Sequence, residues 1–315
     1  MGNNWSMVSP DILAIMGVID TRMQWSRKNS SRPYFQYHPS EFGQCLRKAQ
    51  YRRYAALGYI DIPEEEINSQ TLRLFEKGHN MQRRWSSYFE DAGILRGYWK
   101  CKHCWSNANG AYKILHGKQD KIGVFKPAKC DCGCTAFQYE EIAAYDEELN
   151  MSGHVDMVID FSQFDPSVFN GIKPLYNIAN LPQKPIVVDM KTSNNMGFGK
   201  TLRDGPSFAY QVQLTIYANI LGCEYGLLIY ENKDNSRTAS FKIPKNTDTI
   251  FASIKQQVRL MNEMVANKQL PPPRPNKKDS YECNYCPCSS MCKSSGIWKH
   301  EKLSEMRKKF YGMLL

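Results

Sequence analysis

Long apolar runs are missing from this 315-residue chain: none approaches the roughly 18 residues that a membrane-spanning helix needs. The opening, MGNNWSMVSP, lacks the charged and apolar regions of a secretory signal. A cytoplasmic protein with no membrane partner is therefore expected. Acidic residues are the scarcer charge, 31 against 41 Lys and Arg, which leaves a net charge of +10 and points to a polyanionic partner. A complete phosphate-binding loop is absent too, since Gly199-Lys200-Thr201 has Asn194 where the first glycine belongs. No nucleotide-driven motor is indicated. With 42% hydrophobic residues the chain can bury a full α/β core, and one large domain with an insertion is expected.

Cysteine, by contrast, is plentiful. Eleven cysteines in a chain without secretory features point to metal binding rather than disulfides, and most fall in two clusters. The first is Cys101-Lys102-His103-Cys104 followed, after a polar stretch, by Cys130-Asp131-Cys132-Gly133-Cys134. Two such knuckles read as a small zinc-ribbon-like module inserted into the main fold, with four thiolates tetrahedral around Zn²⁺. The expected ligands are Cys101, Cys104, Cys132 and Cys134, with Cys130 as an alternative in the second knuckle. His103 would alter the set, but a histidine between two ligand cysteines more often faces solvent. The second cluster, Cys283, Cys286 and Cys292, is a Cys-x2-Cys-x5-Cys pattern one thiolate short of a four-ligand site, and Cys45 near the other end is the natural fourth. Cys288 is read as non-ligating and Cys223 as a buried apolar residue.

Two short apolar runs carry acids: Gly153-His154-Val155-Asp156-Met157-Val158-Ile159-Asp160 and Ile186-Val187-Val188-Asp189-Met190-Lys191-Thr192. In a strand, residues i and i+2 share a face, so Asp189 and Lys191 project together and Met190 points away. Two acids and a lysine in one pocket suit a divalent metal beside an attacking water and a phosphate. Helical periodicity is expected over 11–25, as an accessory segment, and over 69–92, where Gly78-His79-Asn80-Met81-Gln82 lies. A further helix, 207–221, puts Gln213 and Tyr217 on one face. Ser193 to Gly199 reads as a flexible loop close to substrate. Two more strands, 225–231 and 239–243, a long helix over 248–267 and a basic helix over 298–313 complete the reading.

These residues resemble the iron-sulfur RecB-type nucleases of the PD-(D/E)XK superfamily, which include the CRISPR-associated exonucleases and their phage relatives. The similarity runs from about Ser40 to Cys292. In that family an early cysteine in a C-x-R-K context and a late C-x2-C-x5-C hold a four-iron four-sulfur cluster (4Fe-4S), matched here by Cys45-Leu46-Arg47-Lys48 and by Cys283, Cys286 and Cys292. The family's G-x-x-D strand is matched by Gly153 to Asp156, its D-x-K strand by Asp189 to Lys191, and its Q-x-x-x-Y helix by Gln213 to Tyr217. One element departs. The family's metal-binding histidine follows a glycine by four residues, and Gly78 plus four is Gln82; either His79 or Gln82 is left to complete the metal shell.

The resemblance implies an α/β fold, a restriction-endonuclease-like core with a central mixed sheet flanked by helices, whose N- and C-terminal segments the cluster joins. The expected organisation is an accessory segment (1–37), a helical part with the first cluster cysteine (38–97), the zinc-ribbon-like insertion (98–138), the nuclease core (139–270) and the iron-sulfur segment with its basic helix (271–315). The implied activity is a Mg²⁺- or Mn²⁺-dependent deoxyribonuclease, expected to be an exonuclease acting on DNA ends or single strands in replication, recombination or repair. Asp156, Asp189 and the Met190 carbonyl would hold the metal; Lys191, Gln213 and Tyr217 complete the implied catalytic set. DNA is the implied partner, with a separate helicase or recombinase for any step that needs unwinding. A second reading, from another class, is a catalytically silent nucleic-acid-binding or assembly protein that retains the fold. A zinc-dependent transcription-type factor is weaker, because it leaves the acid and lysine strands unexplained.

Overall fold

A continuous apolar run such as Ile186-Val187-Val188 belongs inside a sheet covered on both faces, and the computed structural model places it there. The structure describes residues 10–28, 34–63, 67–106, 115–274 and 280–312. In chain order the helices are α1 (Pro10–Lys28), α2 (Leu46–Ala56), α3 (Ser69–Asp91), α4 (Lys102–Ser106), α5 (Asn195–Asp204), α6 (Phe208–Leu221), α7 (Ala252–Ala266), α8 (Tyr281–Asn284), α9 (Ser289–Ser294) and α10 (Leu303–Tyr311). The strands are β1 (Leu95–Cys101), β2 (Leu115–His116), β3 (Val124–Phe125), β4 (Phe137–Glu140), β5 (Ile142–Asp146), β6 (Met151–Val155), β7 (Met157–Ile159), β8 (Ile186–Ser193), β9 (Tyr225–Asn232) and β10 (Thr238–Pro244).

The fold is mixed α/β around a mixed sheet of order β10-β9-β8-β7-β1-β2, with β3 and β4 also paired to β1. Only β8 and β9 run parallel within it; their neighbours pair antiparallel. Strand alternation divides β8 between two cores. Val187 faces a cluster that includes Leu214 and Ile216 of α6, whereas Ile186 and Val188 face Trp99 and Met157. Trp85 of α3 donates to the buried Glu231 of β9 at 2.7 Å, and Arg84 pairs with the same carboxylate, which fixes α3 beside the sheet.

Three local expectations change. The acid-bearing stretch 151–161 is not one strand: β6 pairs with β5 in a separate ribbon, β7 pairs with β8 in the main sheet, and Asp156 is the joint between them. The segment after β8 is a helix, α5, rather than a loop. The Asn194 side chain caps it by accepting from Gly197 N at 2.8 Å, and buried Phe198 anchors its inner face. Cap and anchor together outweigh the helix cost of two glycines. The basic C-terminal helix is also shorter than the apolar pattern suggests, α10 being preceded by a separate 3-10 turn at Ile297–Lys299. Among the described residues no helix is long and apolar enough to cross a membrane.

Candidate active site and cysteine centres

The break at Asp156 creates the site. Past the last β7–β8 pair, Met157↔Val188, the β8 backbone N–H of Met190 is capped by Asp156 Oδ2 at 3.0 Å. The two-residue period then brings the Lys191 ammonium to the Asp189 carboxylate, 2.9 Å from Oδ1 and 2.7 Å from Oδ2. Gln213 of α6 approaches Asp189 Oδ1 at 3.5 Å, and the ring of Tyr210, one turn earlier, lies 4.8 Å from Lys191 Nζ. Tyr217 is buried, and its hydroxyl lies only 2.7 Å from where a Cβ at position 153 would stand. That close approach is why the strand carries a glycine there. Of the expected helical pair, therefore, Gln213 reaches the acids and Tyr217 packs against Gly153.

A third carboxylate completes the group. Glu141 joins β4 to β5 as Asp156 joins β6 to β7. The β5–β6 register ends at Ile142↔Val155, and Glu141 and Asp156 are the residues just beyond this last pair on the two strands. Both line one cleft, and the Glu141 charge acts on Asp156, so the two carboxylates repel. Gln82 of α3 donates to Glu141 Oε1 at 2.8 Å. Both residues line a cleft of about 620 Å³ that also contains Asp156 and His79. The structure thus brings both candidates for the final metal position, His79 and Gln82, to the cleft, and ties Gln82 to Glu141.

The electrostatics follow from this crowding. Burial pushes the Asp156 carboxyl up to about 8, reinforced by the charges of Asp189 and Glu141 and opposed by Lys191 and the Met190 N–H. Asp189 is raised by burial against the pull of Lys191, and Glu141 by burial against the Gln82 amide. For Lys191 burial acts downward, but the charges of Asp189 and Asp156 outweigh it and hold the ammonium above its ordinary range. Asp156 and Asp189 face the Lys191 ammonium, and Glu141 adds a third carboxylate that acts on Asp156. Hard oxygen donors with surplus negative charge suit Mg²⁺ or Mn²⁺, which would replace the proton that Asp156 otherwise retains.

The first cysteine centre forms where β1 ends. Cys101 closes β1, Cys104 lies on the single turn of α4, and Cys130 and Cys132 come from a tight turn stabilised by Gly133 N donating to Cys130 O at 2.8 Å. Their four sulfurs all lie within 4.8 Å of one another. The Cys101–Cys132 and Cys104–Cys130 separations are 3.6 and 4.0 Å. A tetrahedral zinc-thiolate site has sulfur–sulfur edges of about 3.8 Å, so the donor set fits one metal ion. Cys132 is drawn down to about 7, first by the Cys134 N–H and then by its neighbouring thiols. The alternative Cys130 takes the place expected of Cys134, whose sulfur turns away to accept from Ala136 N at 3.3 Å. The turn through Gly133, at φ +87°, breaks the two-residue alternation that would otherwise put all three thiols on one face, and carries Cys134 away. His116, which no cysteine spacing marks, also meets this centre, with Nε2 at 3.3 Å from Cys130 Sγ.

The second centre is assembled by long-range contacts. The buried carbonyls of the proline run are met by Arg47 at Pro271 (2.8 Å), Tyr311 at Pro272 (2.9 Å) and Arg307 at Pro273 (2.8 Å). These bonds hold the C-terminal tail against α2. Cys45, the N-cap of α2, accepts from Arg274 N at 3.5 Å. Cys45, Cys283, Cys286 and Cys292 then line one cavity of about 450 Å³, with Arg47, Lys48 and Arg274 in its wall. Burial raises Cys45, while Cys286 is drawn down to about 6, first by the Cys288 thiol and further by Lys48 and Arg52. Four thiols in a basic cavity suit an anionic iron-sulfur cluster. Cys288 lines the same cavity and bonds Cys286.

No family model matches this chain, and no curated protein matches it. Among solved structures, the crystal structure of SSO0001 is similar with a TM-score of 0.43 at 16% identity, covering 89% of this chain and 97% of that one. An alkaline exonuclease (LHK-Exo) from Laribacter hongkongensis is similar with a TM-score of 0.28 at 12% identity, covering 38% of this chain and 51% of that one. Likenesses this distant leave function to be read from the residues themselves.

Proposed function

We propose that this chain is a metal-dependent deoxyribonuclease, acting as an exonuclease on DNA ends or single strands in replication, recombination or repair. The observation that carries the reading is the crowding of Asp156 by the charges of Asp189 and Glu141, with the Lys191 ammonium held on Asp189. Crowded carboxylates repel one another, and a cation between them removes the repulsion. Asp156, Asp189 and Glu141 would hold Mg²⁺ or Mn²⁺, with the Met190 carbonyl and His79 or Gln82 as the remaining candidates. The ion, when bound, lowers the pKa of a water and offsets charge growing on the phosphate oxygens.

The chain's own groups supply the rest. Lys191, fixed between Asp189 and the Tyr210 ring, presents its ammonium to the phosphate and to the attacking water. Gln213 steadies Asp189, and the Gln82 amide orients Glu141. The cluster held by Cys45, Cys283, Cys286 and Cys292 is structural in this reading: it closes the long loop between α2 and the tail. Zinc at Cys101, Cys104, Cys130 and Cys132 organises the insertion. A helicase or recombinase would supply any unwinding.

Incubation of end-labelled single- and double-stranded DNA with Mg²⁺ or Mn²⁺ tests the activity, and circular substrates test the need for an end. Metal-dependent shortening of linear DNA is expected, and Asp189→Ala abolishes it while leaving the cluster's brown colour. Full activity in that variant overturns the site; DNA binding without cleavage by the unaltered protein favours the silent nucleic-acid-binding reading.

A further inference from the structure

Strand β2 is two residues long, yet it touches two sites. His116 aims Nε2 at the Cys130 sulfur, 3.3 Å away, while Leu115, its strand neighbour, lines the cleft that holds Asp156 and Glu141. Successive strand residues point to opposite faces, so the same dipeptide faces the cysteine centre on one side and the acids on the other.

The chain then turns, and the turn is pinned. Gly117 has φ +84°, and a Cβ there would come within 3.0 Å of Gly97 O and 2.8 Å of Val124. Asp120 N closes the turn on Gly117 O at 3.0 Å. Arg96 of β1 holds the Asp120 carboxylate at 3.3 Å and Gly123 O at 2.6 Å, and is itself held by Asp160 at 3.1 Å. Between these fixed points stands Lys118, exposed and lining the acidic cleft. Lys121, in the same turn and equally exposed, does not line it.

A cleft lined by Glu140, Glu141 and Asp156 repels a polyanion unless cations at its wall offset them. Lys118 and Arg83 are the lysine and arginine of that wall. We propose that Lys118 grips a backbone phosphate of the bound DNA strand beside the carboxylates, and that the four-cysteine centre holds it in place through His116 and β2. The identity of the polymer rests on the nuclease reading. The inserted module is then one wall of the substrate cleft rather than a separate binding unit, and its lysine is a point charge that tolerates any base sequence.

Fluorescence anisotropy of the full chain with a fluorescein-labelled single-stranded oligonucleotide, without added divalent ions so that nothing is cut, tests the proposal. Lys118→Ala is expected to weaken binding about tenfold and to lower the slope of log affinity against log salt by about one, as loss of one phosphate contact does. Lys121→Ala, the same charge change a few residues away, is expected to stay within about twofold. Cys132→Ser, with zinc content measured in parallel, should lose metal and weaken binding as Lys118→Ala does, and the double variant should be no weaker than either single one. Equal effects at Lys118 and Lys121, no effect at Lys118, or additive losses in the double variant overturn the proposal. If the unaltered protein binds the oligonucleotide and Lys118→Ala weakens it, yet Mg²⁺ and Mn²⁺ yield no cleavage, the nuclease reading fails and the phosphate contact stands. Normal cleavage with unchanged binding in Lys118→Ala overturns the contact alone, and no binding by the unaltered protein overturns both.

Discussion

The Gln82 side-chain amide donates to Glu141 Oε1 at 2.8 Å, bridging helix α3 to the joint between β4 and β5. In the proposed site this contact gives Gln82 a positioning role toward the Glu141 carboxylate. Glu141→Gln is expected to abolish metal-dependent cleavage while melting near the unaltered protein, because the new amide oxygen can still accept from Gln82 and a crowded negative charge is removed. Gln82→Ala should raise the Mg²⁺ concentration for half-maximal activity by about tenfold or more, the usual cost of losing a partner that orients a ligand. Metal titration of cleavage measures both; an unchanged Mg²⁺ requirement in Gln82→Ala contradicts the orienting role.

The raised Asp156 carboxyl gives a pH dependence with a definite sign. An acid whose pKa is about 8 in the folded chain, against an ordinary value of about 3.9, favours folding when protonated. Its contribution is full below the ordinary value and is lost as pH rises through about 8. Metal-free protein should therefore lose melting temperature across this window, and Asp156→Asn should flatten the loss. Mg²⁺ needs the ionised carboxylate, so the rise in melting temperature it produces should grow with pH over the same range. Thermal melts with and without Mg²⁺ from acid to mildly alkaline pH decide the matter: a metal effect as large in acid as in alkali rules out Asp156 as the responsive group.

Tyr217 packs against Gly153 in the acid-bearing ribbon and leaves no room for a side chain there. A Cβ at position 153 would meet Tyr217 Oη at 2.7 Å and Pro39 Cδ at 3.0 Å. Gly153→Ala is expected to destabilise the fold by about 1–3 kcal/mol, the range for overpacking a filled core. Tyr217→Phe removes the nearest atom but leaves ring and proline in place, so the double variant should recover part of that loss. Urea denaturation of the single and double variants measures the coupling, and strict additivity would mean that the hydroxyl is not what excludes the side chain.

How much of this was legible in the sequence follows the range of the interactions. Asp189 and Lys191 meet because a strand repeats every two residues, and Gln213 and Tyr217 share a helix face because they are four apart; both relations are local. Glu141 is hidden for the opposite reason. It lies in an acidic stretch with Glu140, Asp146, Glu147 and Glu148, and what singles it out is a place in the cleft beside Asp156, bonded by Gln82, that no local pattern encodes. Glu140, one residue earlier, instead pairs with Lys100 at 2.6 Å. The helix α5 was obscured by its glycines, since the Asn194 cap and the burial of Phe198 become decisive only once β8 places them. The meeting of Cys45 with the tail was readable from cysteine number, but the arginine and tyrosine bonds to the proline carbonyls that bring them together were not.

Cys130 and Cys134 are separated by three residues and assigned opposite roles by the turn between them. Cys130 Sγ stands 4.0 Å from Cys104 Sγ and is met by His116, whereas Cys134 faces Ala136 N. If one metal ion sits among Cys101, Cys104, Cys130 and Cys132, removal of either type of thiol has distinct consequences. Cys130→Ser should lose zinc on purification and lower the melting temperature, since a structural zinc site contributes folding free energy directly. Cys134→Ser should retain about one zinc per chain and melt close to the unaltered protein, because its sulfur is a backbone acceptor that a hydroxyl replaces. Elemental analysis of both variants, with iron determined in the same samples, separates this centre from the one at Cys45. Zinc lost from Cys134→Ser and kept in Cys130→Ser would exchange the two ligands and require the turn at Gly133 to rearrange when metal binds.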